Sequence, residues 1–179
     1  MLTTAHTLLL VIDVQGKLAD LAFRSETIQK NIGTLIQGMD VLGIPVVATE
    51  QYPKGLGHTV EAIAALLGDT PILEKSSFSC CGEHAFEVKL TELHKTDIVV
   101  CGIETHVCVY QTVRDLLALG YNVHLVTDAV SSRSEENWQL GVRKCETLGA
   151  KLTSTEMLLF ELLRYSGTDQ FKAISRLVK

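Results

Sequence analysis

The chain carries no Lys/Arg cluster, and its net charge is only -5 over 179 residues. That balance argues against a general nucleic-acid or membrane-surface partner. Its longest apolar runs reach roughly half of the ~20 residues a membrane span needs. No basic segment followed by an apolar stretch precedes the first structured run, so no secretory signal is expected. No C-x-x-C pair occurs, and five cysteines are an odd number for a disulfide framework. A reducing cytoplasm is the expected compartment. No G-x-G-x-x-G follows the first apolar run and no Walker sequence is found, so a dinucleotide role is unsupported. Repeats, low-complexity tracts and linkers are also missing. One domain spanning residues 1–179 is expected from that length.

What is present is an alternation of strand-like and helix-like runs. Thr7 to Val14 is nearly continuous Leu/Val/Ile, and a strand that apolar must be covered on both faces, as in a parallel sheet. Ser25 to Leu42 places Ile28, Ile32, Leu35, Ile36 and Met39 on one helical face, with Gly43 as its stop. Further strands are expected at Ile44 to Thr49, Pro71 to Glu74, Asp97 to Cys101, Asn122 to Thr127 and Lys151 to Ser154. Helices are expected at Thr59–Leu67, Glu83–His94, His106–Leu119, from Ser134 (a cap) to Leu148, Thr155–Tyr165 and Asp169–Val178. The Gln51–Thr59 connection, with Pro53, Gly55 and Gly57, reads as the mobile loop. This rhythm predicts an α/β fold with three layers: a doubly wound, six-stranded parallel sheet in the order 3-2-1-4-5-6, with helices on both faces. Ligands of such sheets bind at the carboxyl ends of the strands, where the winding reverses.

Cys108 lies just past the fourth strand, where a helical pattern begins. A helix N-terminus and a nearby cation would favour the thiolate, which predicts a lowered thiol pKa. The other reading is a buried cysteine serving as a small hydrophobe. Asp13 ends the first strand and Lys75 follows the third, so the topology brings carboxylate, ammonium and thiol to one rim. Taken singly, Asp13 reads as an acceptor for backbone N–H groups and Lys75 as a solvated loop lysine. Cys101 and Cys145 read as core, Cys80-Cys81 as a structural pair of thiols, and His106 as a capping or packing residue.

Three separated segments then agree: Val11-Ile12-Asp13-Val14-Gln15, Glu74-Lys75-Ser76-Ser77-Phe78, and Gly102-Ile103-Glu104-Thr105-His106-Val107-Cys108-Val109. Together they resemble the isochorismatase-like hydrolase superfamily. Thr49 to Gly57 and Asp128 to Ser134 are similar to its branch of isochorismatase domain-containing proteins. The resemblance implies a catalytic triad of Asp13 as general base, Lys75 as electrostatic partner and Cys108 as nucleophile. It also implies backbone oxyanion donors at Glu104 and Cys108, with a cis peptide at Ile103–Glu104. Gln15, Gln51, Tyr52, Phe78 and Thr105 are candidates for the substrate pocket.

Two departures narrow the chemistry. Isochorismatases that cleave a vinyl ether do not rely on the cysteine, so its presence favours acyl transfer. Nicotinamidases of the superfamily carry Asp-x-His after the second strand, where this chain has Glu50-Gln51-Tyr52. No histidine here has a metal-like spacing with a carboxylate, so no metal and no cofactor is expected. The sequence therefore reads as a metal-independent cysteine hydrolase of a small amide or carbamoyl compound, working through an acyl-cysteine. A low-turnover redox-sensing or scaffold protein on the same fold is the alternative. The partners expected are a small-molecule substrate and further copies of the chain, as a homo-oligomer of two or more; no nucleic acid and no membrane is expected.

Overall fold

The computed structural model describes residues 2–179. In chain order its elements are β1 (Thr7–Ile12), α1 (Gly16–Asp20), α2 (Ser25–Leu42), β2 (Val46–Gln51), α3 (Pro53–Leu56), α4 (Glu61–Leu67) and β3 (Ile72–Lys75). A 3-10 turn at Cys80–Gly82 leads to α5 (His84–Leu93) and β4 (Asp97–Ile103). A π-helical turn, Thr105–Val109, opens α6 (Tyr110–Ala118), followed by β5 (Asn122–Ser131), α7 (Glu135–Thr147), β6 (Lys151–Thr153), α8 (Thr155–Leu163) and α9 (Asp169–Leu177). The six strands lie in the order β3-β2-β1-β4-β5-β6 and every pairing is parallel, as the alternation of runs predicts.

The central strand explains the layering. All six residues of β1 are buried. Successive side chains of a strand point to opposite faces, so Leu9 and Val11 enter one core with α2 and α8, while Leu8, Leu10 and Ile12 enter the other with α5 and α6. α2 buries Ile28, Ile32, Leu35, Ile36 and Met39, the face its sequence spacing defines. Burying a leucine or isoleucine fully contributes about 1.5–3 kcal/mol, which outweighs the absence of a side-chain cap at the N-terminus of α2. α7 does begin with the expected cap: Ser134 Oγ accepts from Asn137 N at 3.3 Å.

Several boundaries shift for physical reasons. β1 stops at Ile12, not Val14, because Asp13 takes a left-handed φ of 51° and turns the chain. β2 extends to Gln51, which pairs with Lys75 of β3. β5 runs on to Ser131 although Thr127-Asp128 is polar, because those groups find partners. Thr127 Oγ1 donates to Thr153 O at 3.1 Å, and Asp128 Oδ1 accepts from Thr155 N at 2.8 Å. The β4–β5 register shifts between Val100 and Gly102. This bulge carries Ser131 to the level of Ile103 and so sets the 132–133 segment beside the turn that leads to Cys108. The expected loop at 51–59 contains α3. It is tied down by Gly16 N donating to His58 O at 3.1 Å and by Gln15 Nε2 donating to Gly57 O at 2.6 Å. Helices as short as α1 and α3 leave no periodic signal in sequence.

At Gly102 the backbone of β1 leaves no room for a side chain on β4. The φ of Gly102 is +118°, and a Cβ there would lie 2.1 Å from Ile12 O. Ile12 O is backbone of a central strand and cannot yield. Gly102→Ala should therefore destabilise the fold by about 3 kcal/mol or more, read as a lower urea midpoint. A wild-type midpoint in this variant would refute the packing argument.

Candidate active site

The carboxyl ends of β1, β3 and β4 deliver the three groups. Asp13 follows β1 directly, Lys75 closes β3, and the turn after β4 carries Cys108. Lys75 Nζ lies 2.7 Å from Asp13 Oδ2, with side chains 1% and 3% exposed. This is not a solvated loop lysine. Nor does the Asp13 carboxylate cap a backbone: Oδ1 accepts from Thr49 Oγ1 at 2.7 Å, and no aligned hydrogen-bond donor occupies Oδ2. Its contact with Lys75 is one of charges, which leaves a lone pair for the Cys108 thiol, with which the carboxylate interacts.

Two buried ions lose solvation worth several kcal/mol each, so they persist only with further partners. Lys75 Nζ donates to Gln51 Oε1 at 2.6 Å, Phe78 O at 3.0 Å and Ser77 O at 3.2 Å. Gln51 is aimed by its Nε2 donating to Ser76 O at 2.9 Å and by Gln15, whose Oε1 accepts from Gln51 N at 2.6 Å. Gln15 and Gln51 are thus braces beneath the site, 1% and 9% exposed, and not the open pocket wall expected of them. Tyr52 and Phe78 are 60% and 53% exposed and stand on the rim. Thr105 is fully buried; its Cγ2 packs where Gly141 of α7 leaves room for it, while its Oγ1 has no hydrogen-bond partner.

Cys108 is 7% exposed, and its thiol titrates in the direction opposite to the sequence reading. Burial pushes it up, the Asp13 charge pushes further, and Lys75 opposes them, leaving it at about 12. The helix-terminus argument fails because desolvation and a neighbouring carboxylate exceed one shared ammonium. At rest the site holds a neutral thiol beside an ion pair.

The peptide Ile103–Glu104 is cis. Glu104 Oε1 accepts from Arg133 N at 3.1 Å and Nε at 3.0 Å, a link between β4 and β5 that the sequence did not reveal. His106 is tied to Ser132, with Nδ1 and Oγ 2.9 Å apart, consistent with packing. Cys80 lies fully buried behind the site, 3.9 Å from Thr49 Oγ1, where burial and the Asp13 charge hold its thiol at about 11. Cys101 and Cys145 are buried in the two cores, and all five thiols are free. Thr49 and Cys80 were missed as neighbours of the site, though the pairing of Thr49 with Ile12 places it next to Asp13.

At the position of the nicotinamidase Asp-x-His motif, Glu50 is already engaged. Oε1 accepts from Thr59 N at 2.6 Å and Thr59 Oγ1 at 2.7 Å, and Oε2 meets His58 Nδ1 at 3.0 Å. Burial works to raise its pKa, but these partners together hold it below the ordinary carboxylate value. Among the described residues no group of three His, Cys, Asp or Glu side chains is arranged to hold a metal ion, so the residues present do not fit that metal.

A doubly wound parallel sheet with thiol, carboxylate and ammonium at its switch point defines an α/β fold with a cysteine-centred candidate site. The particular family follows from comparison: residues 7–157 match the Isochorismatase domain, and the chain belongs to this family of hydrolases. A relative, the secreted isochorismatase effector Isc1 of Phytophthora sojae, is 38% identical over 97% of this chain and 84% of its own length. The structure of the MAR1 ribonuclease of Caenorhabditis elegans superposes with a TM-score of 0.93 at 39% identity, covering 99% of this chain and 91% of that one. The YcaC product of Escherichia coli, an octameric hydrolase of unknown specificity, shares the fold with a TM-score of 0.92 at 21% identity, over 98% and 88% of the two chains.

Since the Asp13 charge raises the Cys108 pKa and the Lys75 charge lowers it, Asp13→Asn should leave the ammonium unopposed. The apparent pKa of Cys108, followed by iodoacetamide labelling against pH, should fall by at least about one unit. An unchanged or higher value would show that the carboxylate does not act on the sulfur.

Proposed function

We propose that the protein is a cysteine hydrolase of small amide or carbamoyl compounds, with Asp13, Lys75 and Cys108 as its catalytic residues. The observation that carries this reading is the buried Asp13–Lys75 pair at the strand ends, with the Cys108 thiol near enough for both charges to act on it. Asp13 takes the thiol proton as sulfur attacks the substrate carbonyl carbon. The negative charge passing to the carbonyl oxygen is met by backbone N–H groups of Glu104 and Cys108, at the two ends of the turn after β4. Collapse breaks the carbon–nitrogen bond, and Asp13 returns its proton to the leaving nitrogen. Water, deprotonated by Asp13, then attacks the thioester. The carbon–sulfur bond breaks, the acid leaves, and the proton goes back to sulfur. Lys75 balances the charge of the carboxylate and offsets the charge that forms on sulfur.

Tyr52 and Phe78, exposed and next to groups that hold Lys75, are the residues left to select substrates. A homo-oligomer accompanies this reading, supported by the octameric state of the E. coli fold neighbour. Free thiols throughout suit the reducing cytoplasm expected from sequence, although a P. sojae member of the family is secreted. Among the described residues no helix is long and apolar enough to cross a membrane. RNA hydrolysis, the activity for which the C. elegans neighbour is described, finds little support in a chain of net charge -5, whose one site cation is 1% exposed.

Intact mass spectrometry after incubation with a panel of small amides tests the proposal. Wild type should gain the mass of an acyl group on Cys108. Cys108→Ala should show no adduct and lose at least about a thousandfold in turnover. RNA incubated in parallel should stay intact. Full turnover by Cys108→Ala, or RNA cleavage without amide hydrolysis, would overturn the reading.

A further inference from the structure

Lys75 is held by more than its charge partner. Besides Asp13 Oδ2 at 2.7 Å, it faces Gln51 Oε1, Ser77 O and Phe78 O. Two of these oxygens are carbonyls of the segment that follows β3. A third carbonyl of that segment, Ser76 O, orients Gln51. The placement of the ammonium therefore depends on residues 76–78, which belong to no helix or strand. Something must hold a three-residue segment whose carbonyls all point inward.

Its outward side is gathered by a single atom. Glu83 Oε1 accepts from Ser76 N at 2.8 Å, Ser77 N at 2.9 Å, Ser77 Oγ at 2.9 Å and Ser76 Oγ at 3.2 Å. Two consecutive N–H groups and two hydroxyls on one oxygen form a nest for a charged acceptor, and hydrogen bonds to an ionised group are the strong ones. Ser77 can come this close because Gly82 has no Cβ: one built there would lie 2.8 Å from Ser77 Cβ. Those bonds hold the Glu83 carboxyl at about 2, so it is charged at any working pH. Glu83 also begins α5, but its side chain makes no cap bond to that helix, so these four bonds are its contribution.

We infer that Glu83, on the far side of the 76–78 segment from the sulfur, is a positioning residue that fixes the Lys75 ammonium against Asp13 and Cys108. The inference rests on the proposed triad. Without the carboxylate the segment relaxes, the carbonyls at 77 and 78 drift, and Lys75 loses its place beside the thiol. Less of the sulfur is then ionised at a given pH.

The test is the rate of iodoacetamide labelling at each cysteine, resolved by peptide mass spectrometry at pH 8, on the full chain. Lys75→Met sets the floor for Cys108. Glu83→Ala should slow Cys108 by about tenfold, the size of one pH unit of thiolate, and Glu83→Gln, which retains the acceptor oxygen, should recover to within about threefold of wild type. Loss of structure alone would have the opposite sign, since opening the site speeds labelling. Cys80, fully buried, reports such opening and should remain unlabelled. Slower Cys108 in Lys75→Met with no change in Glu83→Ala would overturn the role of Glu83. No change in Lys75→Met would overturn the triad itself. Faster labelling of both Cys80 and Cys108 in Glu83→Ala would assign Glu83 a purely structural part.

Discussion

The ion pair between Asp13 and Lys75 is the constraint around which the carboxyl edge of the sheet is arranged. Both side chains are withdrawn from water, at 3% and 1% exposure, and their attraction alone does not repay that cost. The surroundings supply the remainder. Thr49 donates to the carboxylate; Gln51 and two backbone carbonyls accept from the ammonium. Each of these has its own support, so the network spreads from β2 to Gln15 and to Glu83 at the start of α5. What looks on the surface like an ordinary set of loops is a scaffold for one pair of charges.

Sulfur next to such a pair behaves differently from sulfur next to a lone cation. The carboxylate and the desolvation outweigh the ammonium, and the thiol keeps its proton. The proposed chemistry then depends on transfer to Asp13 at the moment of attack, not on a standing thiolate. This places the carboxylate, rather than the lysine, at the centre of the proposed reaction. It also accounts for the open lone pair on Asp13 Oδ2 as a place for the travelling proton.

The fold was legible wherever burial imposes a period. The unbroken apolar run of β1, the helical stripe of α2 and the strand order all follow from covering a parallel sheet on both faces. The convergence of Asp13, Lys75 and Cys108 followed in turn from where their strands end. Legibility failed where tertiary partners decide. β5 continues through Thr127-Asp128 because β6 and α8 supply hydrogen bonds. Gln15 and Gln51 looked like ligand contacts, since a sequence shows an amide but not which way it faces. Thr105 sits in a matching motif, yet its methyl packs against Gly141. The sign of the Cys108 shift was misjudged because a helix terminus is visible in sequence and the depth of burial is not.

The withdrawn, protonated sulfur has a consequence for durability. Peroxides and stray electrophiles attack the anionic form of a thiol that they can reach. In this protein the folded state offers less of that form than a disordered chain would, because an exposed cysteine ionises near pH 8.5. Folding thus shelters this sulfur from oxidative wear. In the proposed reaction that shelter is lifted only as the proton crosses to the neighbouring carboxylate during attack.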